Sequence, residues 1–160
     1  MAEPGPILVA LESSKADLAL LEMARAYARA FSARLYLVHV APPEPDFVGL
    51  PKAEMPPDPG DAEVGYAYDR KIAAERAKAA HADLEARRAE MEAAGIPATA
   101  LLIEGVTADK ILAEATRLDA GLIIVGSHQR GTLGRWLHGS TSREVLHTTP
   151  CPVLVVPVSG

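Results

Sequence analysis

The chain has a single cysteine, Cys151, so no internal disulfide can staple it. Aromatic residues make up only 4%, too few for a platform on which single-stranded nucleic acid could stack. Positive charge is also scarce: 16 Lys and Arg stand against 21 Asp and Glu. The net charge of -5 is the wrong sign for gripping a polyphosphate backbone. No run reaches the ~18 consecutive apolar residues of a membrane span. The start, Met1-Ala-Glu-Pro-Gly-Pro6, has an acid and two prolines where a secretory leader needs basic and then apolar residues. His39, His81, His128, His138, His147 and Cys151 fall at no zinc-ligand spacing, so no protein metal site is expected. The absences together predict a cytoplasmic chain that binds neither nucleic acid nor membrane.

What is present fits one compact unit. A length of 160 residues with 49% hydrophobic residues predicts a single domain over 1–160. Ile7–Leu11 is an apolar run without polar alternation, as expected of a parallel strand covered on both faces. Ser13 and Ser14 then offer a helix cap, and Leu18, Leu21, Ala24, Ala28 and Phe31 recur at helical spacing up to Ala33. A second strand is expected over Leu35–Val40. From Ala41 to Gly60 the chain carries seven of its 13 prolines, which predicts a mobile loop with no regular element. Asp61–Ala94 reads as a long surface helix with one apolar stripe, Ala73, Ala77, Ala80, Leu84 and Met91, stopped by Gly95 and Pro97.

A third strand is expected over Ala98–Ile103, and a helix over Val106–Leu118 with Ile111, Leu112 and Ala115 inward. Leu122–Val125 is a fourth strand, Ser140–His147 a short helix and Val153–Val158 a fifth strand. Five strands alternating with four helices predict a doubly wound, Rossmann-like α/β fold with a mostly parallel sheet and helices on both faces.

Open α/β sheets bind ligands beyond the carboxyl ends of their strands, where strand order reverses. No GxGxxG follows the first strand and no GxxxxGK[ST] occurs anywhere, which disfavours ordinary nicotinamide enzymes and P-loop NTPases. The segment after the fourth strand, Gly126 to Ser142, differs: it holds four of the 12 glycines and ends in Ser140, Thr141 and Ser142, which can open a helix. Small residues let the backbone approach a phosphate, and free N–H groups at a helix start attract anions. Between Gly126 and His147, Arg130, Arg135 and Arg143 face only Glu144, a balance of +2 inside an acidic chain. The alternative is a flexible glycine linker with a serine cap. Ser127-His128 invites a nucleophile reading, yet sequence neighbours rarely reach nucleophile and base geometry, so His128 is assigned to orienting the loop. Cys151, between two prolines, reads as a buried small hydrophobe, and Trp136 as a packing residue.

Gly126-Ser-His, Gly139-Ser140, Arg143-Glu-Val-Leu146 and Pro150-Cys-Pro-Val-Leu-Val-Val-Pro157 together resemble the carboxyl-terminal signature of the universal stress protein family. Ile7-Leu-Val-Ala, His39-Val40 and Glu104-Gly105 are similar to that family in the same order. The resemblance implies strand order 3-2-1-4-5. It also implies an ATP site in which Ala10, Leu11, Glu12 and Val40 line the base and ribose, and Val125 and Gly126 form the floor. His128, Gln129, Arg130, Gly131, Gly139, Ser140, Thr141 and Ser142 would then surround the phosphates. Two departures stand out: Gln129 replaces the middle glycine of the nucleotide-binding branch, and Glu12 replaces its usual Asp. Gly131 could relocate the tight turn, and the Gln129 amide could donate to a phosphate oxygen.

AMP or ADP are alternative ligands, and Mg²⁺ would be carried by the nucleotide. The family resemblance further implies a homodimer through antiparallel pairing of Val153–Val158, limited by Pro157. The function implied is a nucleotide-regulated stress-response protein with no catalytic residues assigned. A nucleotide-free dimeric interaction module is the alternative, and slow ATP hydrolysis ranks lower because no general base or paired carboxylates stand beside the loop.

Overall fold

The computed structural model describes residues 4–41, 59–127, 146 and 148–158, with 59–70 and Ser127 described through the backbone alone. The elements are β1 (Ile7–Ala10), α1 (Asp17–Phe31), β2 (Leu35–Ala41), α2 (Pro59–Ala93), β3 (Ala98–Glu104), α3 (Thr107–Arg117), β4 (Leu122–Ser127) and β5 (Val153–Pro157). The five strands form one sheet in the order β3-β2-β1-β4-β5, and every pairing is parallel. Both the Rossmann-like architecture and the strand order expected from the sequence are therefore present.

β1 is the centre of this arrangement. It pairs with β2 through Ile7↔Leu35 and with β4 through Ile7↔Leu122, and all four of its residues are buried. Alternate side chains feed two cores. Ile7 and Val9 pack with Leu20, Leu21, Ala24 and Ala28 of α1 and with Leu84 and Met91 of α2. Leu8 and Ala10 pack with Ile111 and Ala115 of α3 and with Ile123 and Val125. Helices α1 and α2 thus cover one face and α3 the other, so an uninterrupted apolar strand is the only kind that can sit between them.

Two details of the helices depart from expectation. Leu18 and Phe31 were expected inward on α1, but they are 53% and 48% exposed, while Asp17 and Leu20 are buried. Asp17 opens the helix as a buried residue, and each step turns the side chain by about 100°, so Leu18 is carried off the covered face and Leu20 onto it. Phe31, at the last helical position, rests its ring against Tyr27 with centroids 5.9 Å apart. The second departure is that α2 starts at Pro59, inside the segment expected to be irregular. Proline is tolerated in a first helical turn because the N–H it lacks has no intrahelical partner there. Residues 42–58 lie outside the described residues, as does nearly all of the helix expected over Ser140–His147.

α1, α2 and α3 end in the same way. Ile96 N–H bonds to Met91 C=O and Gly95 N–H to Glu92 C=O, a Schellman motif with Gly95 at φ +79. Ala33 bonds to Ala28 around Ser32 at φ +52, and Ala120 to Ala115 around Asp119 at φ +51. In each motif the two residues joined by the longer bond are buried, which supplies the apolar contact that accompanies this ending.

At the amino end of β1 and β4 two glycine backbones pass each other. A Cβ on Gly121 would lie 2.8 Å from Gly5 N and 3.1 Å from Gly5 Cα, closer than backbone atoms can yield. Overpacking of this kind costs about 1–3 kcal/mol, which at this chain length lowers Tm by very roughly 5 °C. Gly121→Ala is therefore expected to melt several degrees below the parent in a thermal scan, and an unchanged Tm would contradict the close crossing.

Candidate functional site

The strand order reverses at β1, whose two neighbours connect in opposite directions across the sheet. A crevice beyond the carboxyl ends of β1 and β4 is the place where such sheets take ligands. Six of the residues expected in a site converge there. Ala10 ends β1, Leu11 and Glu12 follow it, Val40 lies near the end of β2, and Val125 and Gly126 lie near the end of β4. Ala10, Leu11 and Val125 are buried, whereas Glu12 and Val40 are half-buried. Glu12 thus brings a half-buried carboxylate to this edge, and Val40 an apolar group packed against the α3-side core. His128, Gln129, Arg130, Gly131, Gly139, Ser140, Thr141 and Ser142 lie outside the described residues.

Gly126 has a packing reason of its own. A Cβ there would stand 3.1 Å from Leu20 Cδ1 and 3.4 Å from both methyls of Val158. Its lack of a side chain lets α1 and the end of β5 close over β4 just where the glycine-rich segment begins.

The turn from β1 into α1 is held by named groups. Leu11 N–H bonds to Val38 C=O at 2.8 Å, extending the sheet pairing one residue past the strand. His39 Nδ1 donates to Leu11 C=O at 3.0 Å, since a carbonyl can only accept, and this sets which ring nitrogen carries the proton. Asp17 takes two backbone donors, Glu12 N–H at 2.9 Å on Oδ1 and Ser14 N–H at 3.1 Å on Oδ2. Ser14 Oγ accepts Ala16 N–H at 3.2 Å. Between the two amides held by Asp17 sits Ser13, at φ +58.

A non-glycine residue in that region costs about 1 kcal/mol, while hydrogen bonds to a charged group contribute about 1.5–3 kcal/mol each. The carboxylate therefore outweighs the strain it maintains. A buried acid at the start of a helix is also favoured by the helix dipole. Two serines are expected to cap α1, but its N-cap position is Ala16, which makes no side-chain cap bond, and Ser14 instead bonds Ala16 N–H within the turn leading into the helix. Sequence reading passed over Asp17, although Ser14-Lys-Ala-Asp17 has the [ST]-x-x-[DE] spacing of a capping box.

This geometry can be set beside known proteins. The family model for the universal stress protein family matches residues 4–157. The chain belongs to the universal stress protein family. A universal stress protein of Thermus aquaticus is 34% identical over 151 residues, covering 94% of this chain and 96% of its own. Among solved structures, the universal stress protein from Archaeoglobus fulgidus in complex with dAMP matches with a TM-score of 0.56 at 19% identity, covering 99% of this chain and 100% of that one. A universal stress protein in complex with cAMP matches with a TM-score of 0.62 at 20% identity and the same coverage. At these identities the two structures speak for the shared fold.

Cys151 was expected to be buried, yet it is half-buried, packed beside the α3-side core just before β5. β5 starts opposite Ile123, so the thiol stands at the amino end of the sheet, away from the crevice. Burial raises its pKa above the ordinary 9.0, partly offset by a hydrogen bond with the Thr149 side chain. A raised thiol pKa means that folding favours the neutral form. That stabilisation is present below the unfolded pKa and is lost as pH rises through the folded one. Alkylation of the folded protein by iodoacetamide is expected to rise with a midpoint above that of the urea-unfolded chain, where the thiol is expected to titrate at its ordinary value. Coincident midpoints would contradict this environment for the thiol.

Proposed function

We propose that this universal stress protein is a cytoplasmic regulatory dimer that binds ATP, or the related ADP or AMP, and that nucleotide occupancy alters its conformation or partner contacts in a stress response. The observation that carries the reading is the convergence of Ala10, Glu12, Val40, Val125 and Gly126 at the one point where strand order reverses. Glu12 supplies an acceptor for the ribose, and Val40 supplies an apolar contact for the base. His128, Gln129, Arg130, Gly131, Gly139, Ser140, Thr141 and Ser142 are the residues proposed for the phosphates, on their composition and order in the chain. Mg²⁺ would travel with the nucleotide, because hard cations on phosphates need few protein ligands. The two relatives solved with dAMP and cAMP support an adenine nucleotide as the class of ligand.

A ligand shifts a protein toward the state it binds better. Regulation by occupancy therefore needs contacts that differ between states, and the arginine-containing segment after Ser127 and the proline-rich segment are the proposed source. The dimer is proposed to form through β5, an apolar strand at the sheet edge whose Val155 is 38% exposed.

Gln129 favours a second reading, in which the phosphate site is lost and the protein is a nucleotide-free dimeric module. The test is to release and identify any nucleotide from purified protein, then titrate ATP, ADP and AMP with Mg²⁺ while following sedimentation. The proposal expects saturable binding by a species that sediments as a dimer at micromolar concentration. Absence of binding, with binding created by Gln129→Gly, selects the second reading, and a monomer overturns the dimer.

A further inference from the structure

The Asp17 carboxylate does more than cap a helix. Its bond to Ser14 N–H belongs to the capping pattern, but its bond to Glu12 N–H reaches five residues back, across the turn, to the residue proposed to meet the ribose. The two amides it gathers flank Ser13, whose φ of +58 is a conformation an L side chain adopts at a cost. Asp17 is 1% exposed and opens α1, whose Leu20, Leu21 and Ala24 pack into the core and anchor the helix on the sheet. The opposite side of the turn is fixed as well, by Leu11 N–H on Val38 C=O and His39 Nδ1 on Leu11 C=O.

We infer that Asp17 is a positioning residue of the nucleotide site: by holding Glu12 N–H and Ser14 N–H on one buried carboxylate, it keeps Ser13 left-handed and fixes the direction in which the chain presents Glu12 before any ligand arrives. The inference rests on the nucleotide-binding reading above and adds to it a residue that never touches the ligand. Strained backbone held by its surroundings near a binding crevice is a form of preorganisation, which lowers the ordering cost of binding.

Asp17→Asn keeps the shape and one acceptor but sets an NH₂ group against the second amide. It is expected to weaken ATP binding about tenfold, the equivalent of one lost charge-assisted hydrogen bond. Glycine accepts positive φ without cost, so adding Ser13→Gly is expected to restore most of that affinity if the carboxylate acts through the turn. Circular dichroism confirms that each variant is folded. In ligand-free protein, the Glu12 and Ser14 amides are expected to exchange slowly with solvent in the parent and faster in Asp17→Asn.

Parent-like affinity in Asp17→Asn overturns the inference. So does a weakened Asp17→Asn that Ser13→Gly leaves unrestored, since that outcome marks a role in stability alone. A parent protein that binds no nucleotide overturns the binding reading instead. The two failures are told apart by the parent titration, and the amide exchange still decides whether Asp17 holds the turn.

Discussion

The structure depends on one constraint: β1 is hydrogen-bonded on both edges and covered on both faces. Its four residues are the only ones it has, and all are buried. A strand so placed has no polar face to spare, so its sequence must be apolar throughout, and Ile7-Leu-Val-Ala10 meets that demand. Because β2 lies on one edge and β4 on the other, the chain leaves β1 toward one half of the sheet and returns to its other side much later. The turn after β1 consequently emerges where the two halves part. Topology alone thus makes this the point at which an open α/β sheet would take a ligand.

The same constraint explains why the turn can be tight. Leu11 remains tied to Val38 after β1 has ended, and the Leu11 carbonyl is taken by His39. Asp17 then collects the next available donors from the first turn of α1. Sheet and helix thereby fix opposite ends of a six-residue connection, Leu11 to Ala16, which lies between β1 and α1. Schellman endings on α1, α2 and α3 return the chain to the sheet with similar economy, each closing on a pair of buried apolar residues. The turn proposed to meet base and ribose is therefore tied to the sheet on one side and to α1 on the other, as a preorganised site requires.

The fold was largely legible in the sequence because its signals are local and strong. Apolar runs at Ile7, Leu35, Ala98, Leu122 and Val153 mark the five strands, of which β1 is buried throughout, and Gly95 with Pro97 marks a helix end that the structure builds around φ +79. Strand order is a different matter. It came from the family resemblance, because parallel pairing leaves no residue-by-residue mark in a single chain. Helix phase failed where a polar residue is buried: apolar spacing alone picks out Leu18, but the buried Asp17, held by two backbone bonds, turns Leu20 inward instead. Glu12, Val40 and Gly126 were legible as positions at or just past strand ends, whereas the packing demand on Gly126 from Leu20 and Val158 comes from residues distant in sequence and could only be seen in three dimensions.

The account turns on where the nucleotide sits. Backbone amide chemical shifts followed by NMR during an ATP titration with Mg²⁺ report this residue by residue. The account predicts saturable shifts concentrated on Ala10, Leu11, Glu12, Val40, Val125 and Gly126, with Gly5, Arg34, Ala98 and Gly121 at the opposite end of the strands unmoved. Shifts gathered at that opposite end, or saturable binding that leaves the carboxyl ends of β1 and β4 undisturbed, would contradict it.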